Sequence, residues 1–136
     1  MSSSQLIALC IFAWGVGSFF YKIANDNMHP VLVSTIATSI YILATPIFFL
    51  LFKVNFNYAL KGVSFAALGA AAMCIGTLTY SFALQKGTAG VVVTSASLYP
   101  AVTIVLSCIF LNEGMNLKKI AGILFAFTGV YLLSKK

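Results

Sequence analysis

Arginine is absent from the 136 residues, and Asp26 and Glu113 are the two acids. Charged residues make up 7% of the chain against 61% hydrophobic ones, far below the roughly 25% charge of a soluble domain. A water-facing surface cannot be built from so few charges. Without Arg there is no planar fork to grip phosphate or carboxylate through two hydrogen bonds, which weakens the case for a nucleotide or phosphosugar ligand. Cysteine is scarce too. Cys10, Cys74 and Cys108 are odd in number and each lies inside an apolar run, so they read as small core residues, with neither a disulfide framework nor CxxC metal spacing available. No nucleophile, base or metal cluster stands out, so no enzymatic role, cofactor or metal is expected. His29 precedes Pro30 without a second ligand near it and is expected to be solvated. The segment before Leu6 has no basic residue and no small-x-small site follows the first apolar run, so that run is expected to remain in the mature protein.

What the chain does have is long apolar runs separated by lysines. The eight lysines give a net charge of +6. They fall singly or in pairs at the ends of apolar runs, a placement that anchors helices at a bilayer edge and does not suit nucleic acid. A helix needs about 20 residues to cross the hydrocarbon core. Such intervals occur near Leu6 to Ile23, Val31 to Phe52, Gly62 to Leu84, Ala89 to Leu111 and Leu117 to Ser134. The last includes Lys118 and Lys119, which must snorkel from its first turn. The runs are too long and too little alternating for barrel strands, and lipid leaves no backbone polar group unpaired, so an all-α fold of five transmembrane helices follows. The connections, Ala24 to Pro30, Lys53 to Lys61, Gln85 to Thr88 and Asn112 to Asn116, are short. Consecutive helices should therefore be antiparallel neighbours, with Asn25-Asp26-Asn27 and Pro30 leading into the second helix.

Five spans put the termini on opposite faces. The N-terminal face then carries Lys53, Lys61, Lys118 and Lys119, and the other Lys22, Lys86, Lys135 and Lys136: four against four. The positive-inside rule casts no vote, which either reflects a short sequence or signals insertion in both orientations.

Polar side chains within spans are costly in lipid and are the functional candidates. Trp14, Ser18 and Tyr21 form one stripe of the first span, with Lys22 beside them, and Ser34, Thr38, Tyr41 and Thr45 form one on the second. Thr77, Tyr80 and Ser81 share a face of the third. The fourth is the most polar, with Thr94, Ser95, Ser97, Tyr99, Thr103 and Ser107, and Pro100 near its centre denies the Ala96 carbonyl its usual donor, so a kink with free acceptors is expected there. These residues, Thr45, Ser95 and Ser107 apart, are candidates to line a substrate pathway. The competing reading is that the hydroxyls bond back to their own helices. Trp14, Tyr80 and Tyr99 suit an amphipathic or cationic metabolite, while Lys22 either meets an anionic group or snorkels. Small residues four apart, Ala13 and Gly17, Ala66 and Ala70, Ala72 and Gly76, Gly122 and Ala126, permit close helix approach.

The stretch LYPAVTIVLSCIFLNEGMNLKKIAGILFAFTGVYLLS, residues 98–134, places a proline inside the fourth helix, a glutamate just after it and a Gly-containing helix beyond. Together with AWGVGSFFYKIA and YSFALQKGTAGVVVTSASLYP, it resembles the EamA-like domain of the drug/metabolite transporter superfamily, in the single-domain, five-helix form and over nearly the whole of residues 1–136. The resemblance implies half of a ten-helix inverted-repeat transporter, with four helices lining a cavity and the fifth outside. It implies an antiparallel homodimer that moves a small metabolite or amphipathic solute by alternating access, in a bacterial or archaeal cytoplasmic membrane. It also implies that Glu113 fixes the loop beside Lys118 or Lys119. The four-helix proton-coupled relatives carry a glutamate in the first helix, which is lacking between Gln5 and Tyr21. The alternatives are a non-transporting membrane subunit packed on a larger partner and one half of a heterodimeric transporter. Single cysteines at Asn57 and Lys136, in a background without Cys10, Cys74 and Cys108, are expected both to react in substantial fractions with an impermeant reagent; labelling at one alone would mean a fixed orientation.

Overall fold

The structure, a computed structural model, describes residues 2–52 and 60–134. Lys53, Lys135, Lys136 and most of the expected connection from Lys53 to Lys61 lie outside them. All the described elements are helices: α1 Ser3–Asn27, α2 Pro30–Phe52, α3 Leu60–Lys86, α4 Ala89–Ala96, α5 Tyr99–Phe110 and α6 Leu117–Ser134. Five stretches are long and apolar enough to cross a membrane, the fourth of them, Ala89–Phe110, made of α4 and α5 together. The chain is an all-α, multi-pass membrane protein.

The first three helices overrun the limits set by hydropathy, because charge marks the edge of the hydrocarbon and a helix continues into the interface. The 27 residues of α3 extend roughly 40 Å against a hydrocarbon core of about 30 Å. The overrun relocates Asn25, Asp26 and Asn27. They form the last turn of α1 and do not lead into α2, leaving Met28 and His29 as the whole connection. At the other end of α1, Ser2 and Gln5 make a reciprocal capping box: the Gln5 N–H donates to Ser2 Oγ at 3.4 Å and the Ser2 N–H to Gln5 Oε1 at 2.8 Å.

The kink expected at Pro100 is a full break. With no proline N–H to reach the Ala96 carbonyl, the chain tightens: the Leu98 N–H donates to the Ser95 carbonyl at 3.2 Å and the Ala101 N–H to the Leu98 carbonyl at 2.9 Å, both at three-residue spacing. α5 ends at Phe110 with Leu111 as its cap, and Asn112 turns the chain at φ 53°, a left-handed conformation that Asn tolerates well. The Ser107 carbonyl accepts from both the Leu111 N–H, at 2.9 Å, and the Glu113 N–H, at 3.3 Å. Glu113 Oε2 in turn accepts from the Ser107 hydroxyl at 3.3 Å and from Lys119 Nζ at 3.4 Å. Glu113 thus holds the turn between α5 and α6, as the resemblance implies, with Lys119 as its partner. Asn116 caps α6, its Oδ1 accepting the Lys119 N–H at 2.8 Å.

The chain divides into two compact units, Met1–Lys86 and Gly87–Lys136. In the second, α4 packs on α6. In the first, α3 packs on both α1 and α2, so α1 has a neighbour that is not its neighbour in sequence. The tight packing of this unit lies at one end, where α1 finishes, α2 starts and α3 finishes: Asn25, Pro30, Ser81 and Leu84 are fully buried and Val33 and Ser34 nearly so. Elsewhere its apolar side chains face outward, Leu50 being 82% exposed, as suits a lipid solvent. The small-residue pairs are not used for packing within the units: a Cβ added at Gly17, Gly76 or Gly122 would meet nothing within 4 Å. Leu84→Ala should lower stability by about 2 kcal/mol, whereas Leu50→Ala should change it little; thermal unfolding in a lipid nanodisc compares them.

Candidate functional site

The buried end of the first unit is polar. Ser34 of α2 and Ser81 of α3 share a hydrogen bond at 3.0 Å, the one direct side-chain link between these helices among the described hydrogen bonds. Lys22 of α1 crosses to α3: its Nζ donates to the Leu84 carbonyl at 2.9 Å and pairs with Asp26 Oδ1 at 2.6 Å. The last carbonyls of a helix have no donor within it, and an ammonium at that negative end is favourable. Lys22 is therefore a cap on α3, supplied by α1. Tyr21 and Tyr80 face each other half-buried, their ring centroids 6.5 Å apart. The α1–α2 connection joins the same assembly through His29, whose ring stands edge-on to Phe82 of α3 with centroids 5.8 Å apart.

Asn25 sits fully buried at this end. Its Nδ2 donates to the Tyr21 carbonyl at 2.8 Å, which settles the orientation of the amide, since a carbonyl can only accept. Oδ1 is then left buried with no hydrogen-bond partner. An unpaired buried acceptor costs about 1–3 kcal/mol and is rare enough to call for a role.

Of the residues nominated from sequence, the first unit brings together Ser18, Tyr21, Lys22, Ser34, Thr77, Tyr80 and Ser81, all half-buried or buried. It does not bring Trp14, Thr38 or Tyr41 with them: Trp14 is 58% and Tyr41 72% exposed, and Thr38 is exposed too. The Thr38 hydroxyl donates to the Ser34 carbonyl at 2.9 Å and that of Thr45 to the Tyr41 carbonyl at 2.8 Å, each within its own helix. In the second unit the same happens beside the break. Thr94 donates to the Gly90 carbonyl, Ser97 to that of Thr94 at 2.6 Å and Thr103 to that of Tyr99 at 3.4 Å. Each bond uses the hydroxyl hydrogen and leaves the oxygen able to accept. Tyr99, 54% exposed, and the exposed Pro100 open α5. A shallow groove lined by Ile42, Thr45, Pro46, Phe49 and Leu50 lies on the far half of α2 and is apolar apart from one hydroxyl.

Sequence reasoning missed Asn25, and the signal was present. Trp14, Ser18 and Tyr21 continue at the same spacing to position 25, but hydropathy closes the span at Ile23 and gives the next turn to the connection. His29 is engaged in structure as well as near solvent. A double-mutant cycle with Ser34→Ala and Ser81→Ala should return a coupling of roughly 0.6 kcal/mol in unfolding free energy, and an additive cycle would show that the two hydroxyls do not hold α2 to α3.

The sequence profile of the EamA-like transporter family matches residues 1–135. The chain is also 34% identical over 135 residues, 98% of each protein, to an uncharacterized protein of Methanocaldococcus jannaschii. No solved structure matches. The five spans, the glutamate clasp after the broken fourth span and a match running the length of the sequence lead to one assignment: this chain belongs to the EamA-like transporter family.

Proposed function

We propose that the chain carries a small polar or amphipathic metabolite across a bacterial or archaeal cytoplasmic membrane by alternating access, working as an antiparallel homodimer. The observation that carries this reading is the polar end of the first unit. Lipid penalises polar groups, yet α1, α2 and α3 turn Ser18, Tyr21, Ser34, Thr77, Tyr80 and Ser81 inward and bury Asn25 Oδ1 without a partner. An acceptor kept open in that setting suits a solute that brings its own donor, with the Tyr21 and Tyr80 rings as the stacking surface beside it. The buried end serves as a closed gate, and Lys22 as the clasp that ties α1 to α3 across it.

The break at Ser97 and Leu98 serves as the hinge of the fourth span, since a span divided into two short helices bends without breaking further hydrogen bonds. Trp14, Thr38 and Tyr41 on the first unit, and Thr94, Ser97, Tyr99, Pro100 and Thr103 beside the break, are the remaining pathway residues of this reading. A second copy of the chain gives the exposed ones a surface to face. The lysine tie across the two membrane faces supports an inverted arrangement, and the open space at Gly17, Gly76 and Gly122 leaves small-residue faces free for the second copy.

Asn25→Leu, which removes the open acceptor while keeping the branched outline of the side chain, should abolish solute flux in liposomes with the protein still folded, as checked by its thermal midpoint. Trp14→Ala and Tyr99→Ala should each reduce flux with membrane insertion unchanged. Unaltered flux in all three would remove the proposed pathway.

A further inference from the structure

Resting on the transport reading above, we infer that the site at Asn25 takes an uncharged solute with an N–H or O–H donor on a flat ring, and turns away cations and anions of the same outline. The acceptor sets the first condition. Asn25 Nδ2 is committed to the Tyr21 carbonyl at 2.8 Å, and Oδ1 is buried with no hydrogen-bond partner. A carbonyl oxygen accepts and cannot donate, so a carboxylate or phosphate on the solute meets it oxygen to oxygen. Lys22 does not rescue an anion. Two of its three N–H donors go to Asp26 Oδ1 at 2.6 Å and to the Leu84 carbonyl at 2.9 Å, and the Asp26 carboxylate balances its charge.

Cations meet a different obstacle. Positions 22 and 25 are three apart on α1, the spacing at which side chains are neighbours on a helix. A cation at Oδ1 therefore sits beside an ammonium, whose balancing carboxylate is the more exposed member of the pair, 47% against 23%. The Tyr21 and Tyr80 rings, 6.5 Å apart, offer a cation their faces, but taking an ion out of water costs more than a ring face returns. Nor does the chain supply a counter-charge further along the membrane. Residues 30–52, 62–85, 87–112 and 120–134 contain no acid and no lysine. An uncharged donor is opposed by neither effect. An amide or ring N–H satisfies Oδ1 without bringing a charge, and a flat ring lies against the same tyrosine faces. The rings alone would serve a cation as well; the bare acceptor next to a paired lysine is what narrows the class.

The experiment titrates the full-length chain in nanodiscs at neutral pH with four flat probes of similar outline: benzamide, uncharged with N–H donors; acetophenone, uncharged without one; benzamidinium, the cation; and benzoate, the anion. Protection of the thermal midpoint gives the affinity for each. Benzamide should bind about tenfold or more tightly than each of the other three, and Asn25→Leu and Asn25→Ala should both remove that advantage. Binding of the cation, the anion or the donor-free ketone as tight as that of benzamide overturns the inference. So does an absence of protection by every probe, or a benzamide advantage that survives in whichever Asn25 variant folds. Uptake of the probes into liposomes, measured alongside, separates the substrate class from transport itself. Uptake with binding indifferent to charge overturns the substrate class alone, whereas a benzamide preference without uptake of any probe upholds the site's selectivity and counts against transport.

Discussion

The hydrocarbon interior of a bilayer offers no hydrogen-bond partner, and that constraint organises this molecule from its composition upward. It dictates helices, because only a helix pairs its backbone within one strand of chain. It turns Thr35, Thr38, Ser39 and Thr45 of α2 back onto carbonyls of their own helix, and it sends the ammonium of Lys22 to the end of α3, where a carbonyl and a carboxylate meet it. In water any of these groups could be left to solvent. The described structure leaves one buried side-chain atom unpaired, Asn25 Oδ1, and an exception under so strict a rule carries more information than the pairs that obey it.

The same constraint separates what was legible in the sequence from what was not. Five spans and an all-α fold could be read directly, because an apolar run of about 20 residues with lysines confined to its ends has few other solutions. The break near Pro100 was legible as a disturbance, since a missing N–H has a fixed address. Its form, two helices with Ser97 and Leu98 between them, depends on which shorter hydrogen bonds replace the lost one. The last turn of α1 is hidden from hydropathy for a different reason. Hydropathy marks where the hydrocarbon ends, and Asn25, Asp26 and Asn27 look like a loop by that measure. They remain helical because Asn25 and Asn27 donate to carbonyls four residues back and Asp26 pairs with Lys22 at the same spacing. Nor could the sequence show which hydroxyls pair across helices: Ser34 and Ser81 meet because α2 and α3 pack, and stripe analysis ranks them no differently from Thr38 or Thr77.

The candidate site is thereby reshaped. A periodicity argument nominates polar faces one helix at a time, and it gives Trp14 and Tyr41 the same standing as Tyr21 and Tyr80. Packing divides them, gathering Tyr21, Tyr80, Ser34 and Ser81 into one end of the first unit and leaving Trp14 and Tyr41 exposed. That end combines close packing around Leu84, a cross-helix ammonium contact from Lys22 and an open acceptor at Asn25, which is why we propose it as the gate. The second unit contributes a different device, a span broken at its centre and secured at its far turn by Glu113 and Lys119.

Whether this chain by itself moves solute is decided by purifying it, reconstituting it into liposomes with no other protein and measuring uptake from a panel of small metabolites and amphipathic amines against empty liposomes. Saturable uptake of at least one compound, carried by the chain alone, is the expected result. Uptake that appears only when a second protein is added, or that never exceeds the empty vesicles, would contradict it.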